Sequence, residues 1–147
     1  MNQAWLCFRK GDYKQGEDLA TAYQLYETAS RLDVGASNQQ AKRTFAEAAQ
    51  LFEDALFIQK AAETWGAAGQ YGKAAEVLWA HKEYGKAALW YMRANNFLQA
   101  ARCHHLAEQH DEAVKAYRKG EHWAQLVEYL ERFVTLVLCD LPIGKLT

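Results

Sequence analysis

The side chains best able to do chemistry stand together at Cys103-His104-His105, with His110 two helical turns further on. Thiolate sulfur and imidazole nitrogen are the usual ligands of zinc, which needs four donors converging in a tetrahedron. The spacing argues for packing instead. His104 occupies the repeated position held by Tyr91 and Tyr117, and His110 the one held by Tyr84 and Phe97. Both histidines are therefore predicted to be packing residues on different helices, and neither metal nor cofactor is expected. The chain contains no GxxxxGK[ST], GxGxxG, HExxH or GxSxG, so the short motifs that bring phosphate, metal or nucleophile chemistry are missing and a non-catalytic role is expected.

Two further groups could serve recognition. Of the five tryptophans, Trp65 and Trp123 fall in the predicted buried stripe, whereas Trp79 lies one residue past it and Trp90 one before it, leaving these two as candidates for stacking or an aromatic peptide contact. Residues 82–119 carry seven basic and four acidic side chains, a local surplus of three positive charges that includes Arg93 and Arg102. Such a patch suits an acidic peptide or a phosphate backbone, but long charged side chains most often simply solvate a helix face.

These residues are positioned by a repeat of 13. Phe45, Ile58, Tyr71, Tyr84, Phe97, His110 and Trp123 stand 13 apart; three residues after them come Ala48, Ala61, Ala74, Ala87, Ala100, Ala113 and Leu126; and the next column continues with alanine until Val114 and Val127. A fourth column, seven residues after the first, alternates Trp65, Tyr91 and Tyr117 with Phe52, Leu78, His104 and Leu130. Offsets of 0, 3, 4 and 7 lie on one stripe of an α-helix, so each unit is predicted to be a helix of about 10 residues followed by a turn of about 3. Paired alanines let axes approach closely. The alternation in the fourth column predicts hairpins of 26 residues, and the column two after the first, from Glu47 to Gln125, is uniformly polar and predicted to face water.

The whole chain, 1–147, reads as one all-α domain. Residues 1–36 form a divergent helical pair, Trp5 to Lys10 and Tyr13 to Arg31 about a Gly11-Asp12 turn; 38–133 hold the regular units, with Ser37 or Asn38 as the helix cap; 134–147 are an apolar helix end and tail. The only proline is Pro142, which leaves helices free to form throughout. A formal net charge of −1 gives no bulk attraction to nucleic acid or anionic lipid. Cys7, Cys103 and Cys139, an odd number without a CxxC, point to a reducing intracellular home, cytoplasmic or nuclear, and no window resembles a signal peptide or a membrane span.

The segment AGQYGKAAEVLWAHKEYGKAALWYMRANNFLQAA resembles a TPR-like array, a likeness that covers roughly residues 38 to 133 with a hairpin of 26 residues in place of 34. The resemblance implies a right-handed α–α superhelix, but the different period carries over no TPR peptide-binding residues. With the N-terminal AWLCFRKGDYKQGEDLATAYQLYETASRL, the chain is also similar to the helical region after the core of TPR and ankyrin repeat-containing, UvrD-like helicase type proteins. That likeness implies a fragment of a larger protein.

Taken together, these features predict a protein–protein interaction or scaffolding module that engages a protein or peptide, the alternative being a nucleic-acid-binding accessory region. In the last helix, Leu126, Val127 and Leu130 are predicted to face inward. Phe133, Leu136, Val137 and Leu138 would then spread apolar surface around the helix, which either docks onto the preceding hairpin of the same chain or serves a partner, as a self-association contact or the seat of a further repeat; Phe133 and Val137 are the candidates.

Overall fold

A helix of ten residues makes not quite three turns and is about 15 Å long, too short to persist without neighbours. The computed structural model describes residues 13–32 and 38–139, and among them it has eight helices and no strand. They are α1 (Tyr13–Leu32), α2 (Gln39–Asp54), α3 (Ile58–Ala67), α4 (Tyr71–Ala80), α5 (Tyr84–Arg93), α6 (Phe97–Leu106), α7 (His110–Lys119) and α8 (Trp123–Cys139). From α3 onward each helix begins on the first column of the 13-residue repeat. The segment Trp5 to Lys10, the Gly11-Asp12 turn and Ser37 lie outside the described residues. Asn38 caps α2, its side-chain oxygen accepting from the N–H groups of Gln40 and Ala41 at 3.0 and 3.3 Å.

Six successive turns share one backbone design. Leu56, Gly69, Lys82, Asn95, Glu108 and Glu121, again 13 apart, all have positive φ, from 57° to 77°. Each turn closes with the same two hydrogen bonds: in the first, Leu56 N–H donates to the Glu53 carbonyl at 2.9 Å and Phe57 N–H to that of Phe52 at 2.8 Å. The last repeats them with Glu121 to Arg118 and His122 to Tyr117. This is a Schellman cap, which satisfies carbonyls left open at a helix end. Leucine, lysine and glutamate accept the left-handed conformation here at about 1 kcal/mol each because a three-residue connection with both hydrogen bonds requires it.

Each helix packs on its neighbour in the chain, making a run of antiparallel-type helical hairpins. The alanine columns from Ala48 to Ala113 are buried, and between them sit Phe52, Trp65, Leu78, Tyr91, His104 and Tyr117, all buried as well. Trp65 also donates from its indole N–H to Glu53 of α2 at 3.3 Å. At Gly66 the approach is so close that a β-carbon would collide with the Trp90 ring, so the lack of a side chain is a packing requirement there. Two expectations are corrected. The first column is not uniformly buried, since Tyr71 is partly in solvent and Trp123 is 56% exposed. The polar column does not all face water: Lys60 folds its ammonium over the Tyr26 ring at 4.0 Å, and Gln99 is half-buried.

The thinnest contact in the series is α7 with α8. Its cause lies in the columns, because Leu126 and Val127 replace the alanine pair and hold α8 off at a greater distance.

Candidate functional site

The wider spacing at α8 opens a cavity of about 550 Å³ between α6, α7 and α8. Its floor is aromatic. His110 is hydrogen-bonded through Nδ1 to the Tyr129 hydroxyl at 2.5 Å, His105 stands edge-on to the Tyr129 ring with centroids 5.1 Å apart, and Phe133 lies 4.7 Å from the His110 ring. Tyr117 closes the inner end, 5.7 Å from Tyr129. The rim carries Arg102, Leu136 and Val137, all exposed, and Arg132, whose guanidinium is held by Glu128 at 2.5 Å. Among the described residues Arg102 makes no ion pair.

Burial chiefly, with Tyr117 and Asp111 adding to it, raises the Tyr129 hydroxyl above the ordinary phenol range. Tyr117 is raised mainly by burial too, against the opposing pull of Arg102. Both hydroxyls therefore stay neutral near pH 7, and the site offers hydrogen-bonding groups on an apolar floor with a cationic edge.

The Cys103-His104-His105 cluster does not converge. Cys103 and His104 are both buried, His104 Nδ1 is hydrogen-bonded to Gln109 at 2.8 Å, and His105 points instead to Tyr129. Burial pushes the Cys103 thiol up to about 11, which keeps it in the form that neither binds metal nor attacks. Among the described residues there is no group of three or more His, Cys, Asp or Glu able to hold a metal ion.

Of the residues singled out from sequence, Arg102, Phe133 and Val137 meet in the groove. Trp90 and Arg93 meet each other, the guanidinium lying 4.7 Å over an indole that is itself stacked on Tyr71 and half-buried. Trp79 stands apart, partly exposed and edge-on to Tyr84 at 5.0 Å. Three placements are corrected. Trp123, predicted to be buried, is in solvent, and Val127 and Leu130, predicted to face inward, are 55% and 40% exposed; of the alternatives the sequence left open for Phe133, its ring docks on the preceding helix against His110. Leu126, Tyr129 and Phe133 form the inner stripe because, among the described residues, α8 has a helix on one side only. Sequence reasoning missed Tyr129 and weighed His105 only as a metal ligand; the signal available was Tyr129 and Phe133 at four-residue spacing opposite a histidine in an otherwise apolar column.

No protein-family model, curated protein or solved structure matches this chain. No described helix is long and apolar enough to cross a membrane.

Proposed function

We propose that this chain is a non-catalytic protein–protein interaction module, a TPR-like α–α superhelix that holds a protein segment in the groove between α6, α7 and α8. The observation that carries the reading is the groove itself: Tyr129 and Phe133 as an apolar floor, Leu136 and Val137 exposed at its mouth, and Arg102, in no ion pair among the described residues, at its edge. Apolar anchors beside a cation suit a short segment with apolar side chains and a carboxylate. The likeness to the helical region of UvrD-like helicase type proteins supports a place in a larger protein, with another domain of that protein as one source of the segment.

A nucleic-acid role is less well supported, because Lys86 and Lys115 in the basic stretch are drawn into ion pairs with Glu83 and Glu112 at 3.2 and 2.6 Å. Selection of a displayed library of random 12- to 16-residue peptides, the order of length that a groove of one or two helical turns contacts, tests the reading. Enriched peptides are expected to combine apolar residues with Asp or Glu and to lose at least about tenfold in affinity against Arg102→Glu and Leu136→Glu. Failure to enrich any peptide, equal binding by both variants, or binding of a single-stranded oligonucleotide in their place would contradict it.

A further inference from the structure

The other face of α8 carries a second feature. Trp123, Val127, Leu130, Val134 and Val137 are spaced four, three, four and three residues apart, and each leaves between 40% and 56% of its surface in solvent or lines the adjoining groove mouth. A 4-3-4-3 spacing repeats every 3.5 residues on average, the seam of a coiled coil. In that frame Val127 and Val134 hold the a positions and Trp123, Leu130 and Val137 the d positions. β-Branched residues at a with leucine at d favour two strands, a rule that Val127, Val134 and Leu130 follow.

Comparison with the other helices shows what this face lacks. The same repeat positions are Ala75 and Leu78 in α4 and Ala101 and His104 in α6, all buried under the helix that follows. In α8 they are Val127 and Leu130, bare. A further ten-residue unit of the same kind is a poor occupant, since those units interlock through alanine pairs and α8 has Leu126-Val127 there. Its 17 residues also outrun the ten of α3 to α7. Branched side chains in heptad spacing on a longer helix fit a partner with the same seam.

We propose that the partner is a second copy of this chain, α8 pairing with α8 across a two-fold axis. The five seam residues with the flanking Ala124, Glu131 and Leu138 expose on the order of 600 Å² on each copy, the lower end of what a standard two-sided interface buries per partner. The seam and the peptide groove share only Val137, and variants that avoid it separate them: Val127 and Val134 do not line the groove, and Leu136 and Arg102 are outside the seam. Loss of either property therefore leaves the other measurable.

The test is light scattering and sedimentation of the 147-residue chain and of Val127→Glu/Val134→Glu, with far-ultraviolet circular dichroism as the check on folding. At about 100 μM the natural sequence is expected to have twice the 16.7 kDa chain mass and to dissociate on dilution. The double variant, which sets like charges against one another across the axis, is expected to associate at least about 100-fold more weakly with unchanged helix content. Should it lose helix, Val134→Lys alone gives the same readout with a single change on an exposed site. A natural chain at monomer mass, a folded variant that still dimerises, or an open series of masses growing with concentration would each overturn the proposal.

Discussion

Helices α2 to α7 and helix α8 are built from the same columns under different conditions. In α2 to α7 nearly every column meets a helix on both sides, so alanine pairs are enclosed and the large residue at the seventh offset is buried whether it is Phe52, Leu78 or Tyr91. In α8, among the described residues, the same columns meet a helix on one side, the alanines give way to Leu126 and Val127, and Leu130 stands in solvent. Side-chain type follows the number of neighbours. The interior units spend their apolar residues on stacking; the terminal one has two apolar faces left over, a groove and a seam, and these are where association is expected.

The comparison is broken most severely at the seventh-offset leucines. Leu78→Ala removes a buried side chain and is expected to cost about 2–5 kcal/mol in denaturant unfolding, independent of protein concentration. Leu130→Ala, the same change in the same column, is expected to cost less than about 1 kcal/mol, and only at concentrations where copies pair. Equal losses would erase the distinction between the two regions.

Small-to-large changes sharpen it from the other side. Ala88→Leu in the enclosed column of α5 is expected to lower stability by about 1–3 kcal/mol through overpacking, while Val127→Leu in the matching column of α8 stays within about 0.5 kcal/mol. A melting temperature unmoved by Ala88→Leu would contradict the close approach of the helices.

Cysteine chemistry separates the regions by burial. Cys103 is buried inside α6 and Cys139 exposed at the end of α8, so a thiol reagent is expected to label Cys139 in the folded chain and Cys103 only after unfolding. The neutral thiol of Cys103 has its folded pKa raised from 9.0 to about 11. The stability it contributes is thus complete below pH 9 and falls by about 2 kcal/mol as pH rises toward 11, a loss expected to be absent in Cys103→Ala. Rapid labelling of Cys103 at neutral pH would show that the interior opens easily.

The smallest effect lies in the turns. Lys82→Gly and Glu108→Gly relieve a left-handed conformation and are expected to raise stability by about 0.5–1 kcal/mol each, with Gly69→Ala lowering it by a similar amount. Destabilisation by both glycine variants would mean that the capping geometry is not strained.

The 13-residue spacing made the helix starts from Ile58 to Trp123 legible, because an amphipathic stripe and its interruption are both written in residue type. The turn conformation was not: only Gly69 and Asn95 among the six left-handed positions have side chains that advertise it, and at Leu56, Lys82, Glu108 and Glu121 the hydrogen bonds of the cap prevail over local preference. Arg102, Phe133 and Val137 were legible as surface of interest, yet the groove that unites them depends on α8 standing away from α7, a tertiary consequence of Leu126 and Val127. The inward turn of Tyr129 was hidden, and that of Phe133 left open, for the same reason. The column rule describes a helix with two neighbours, and among the described helices α8 has one.

Hydrogen exchange read by mass spectrometry at two protein concentrations tests the central contrast most directly. Amides of α3 to α6 are expected to exchange slowly and identically at both, because their protection comes from stacking within one chain, whereas amides between Leu126 and Leu138 exchange faster on dilution as copies separate. Protection of α8 equal to that of α3 to α6 and indifferent to concentration would show that it is an ordinary unit of the stack, and the account given for its two free faces would be wrong.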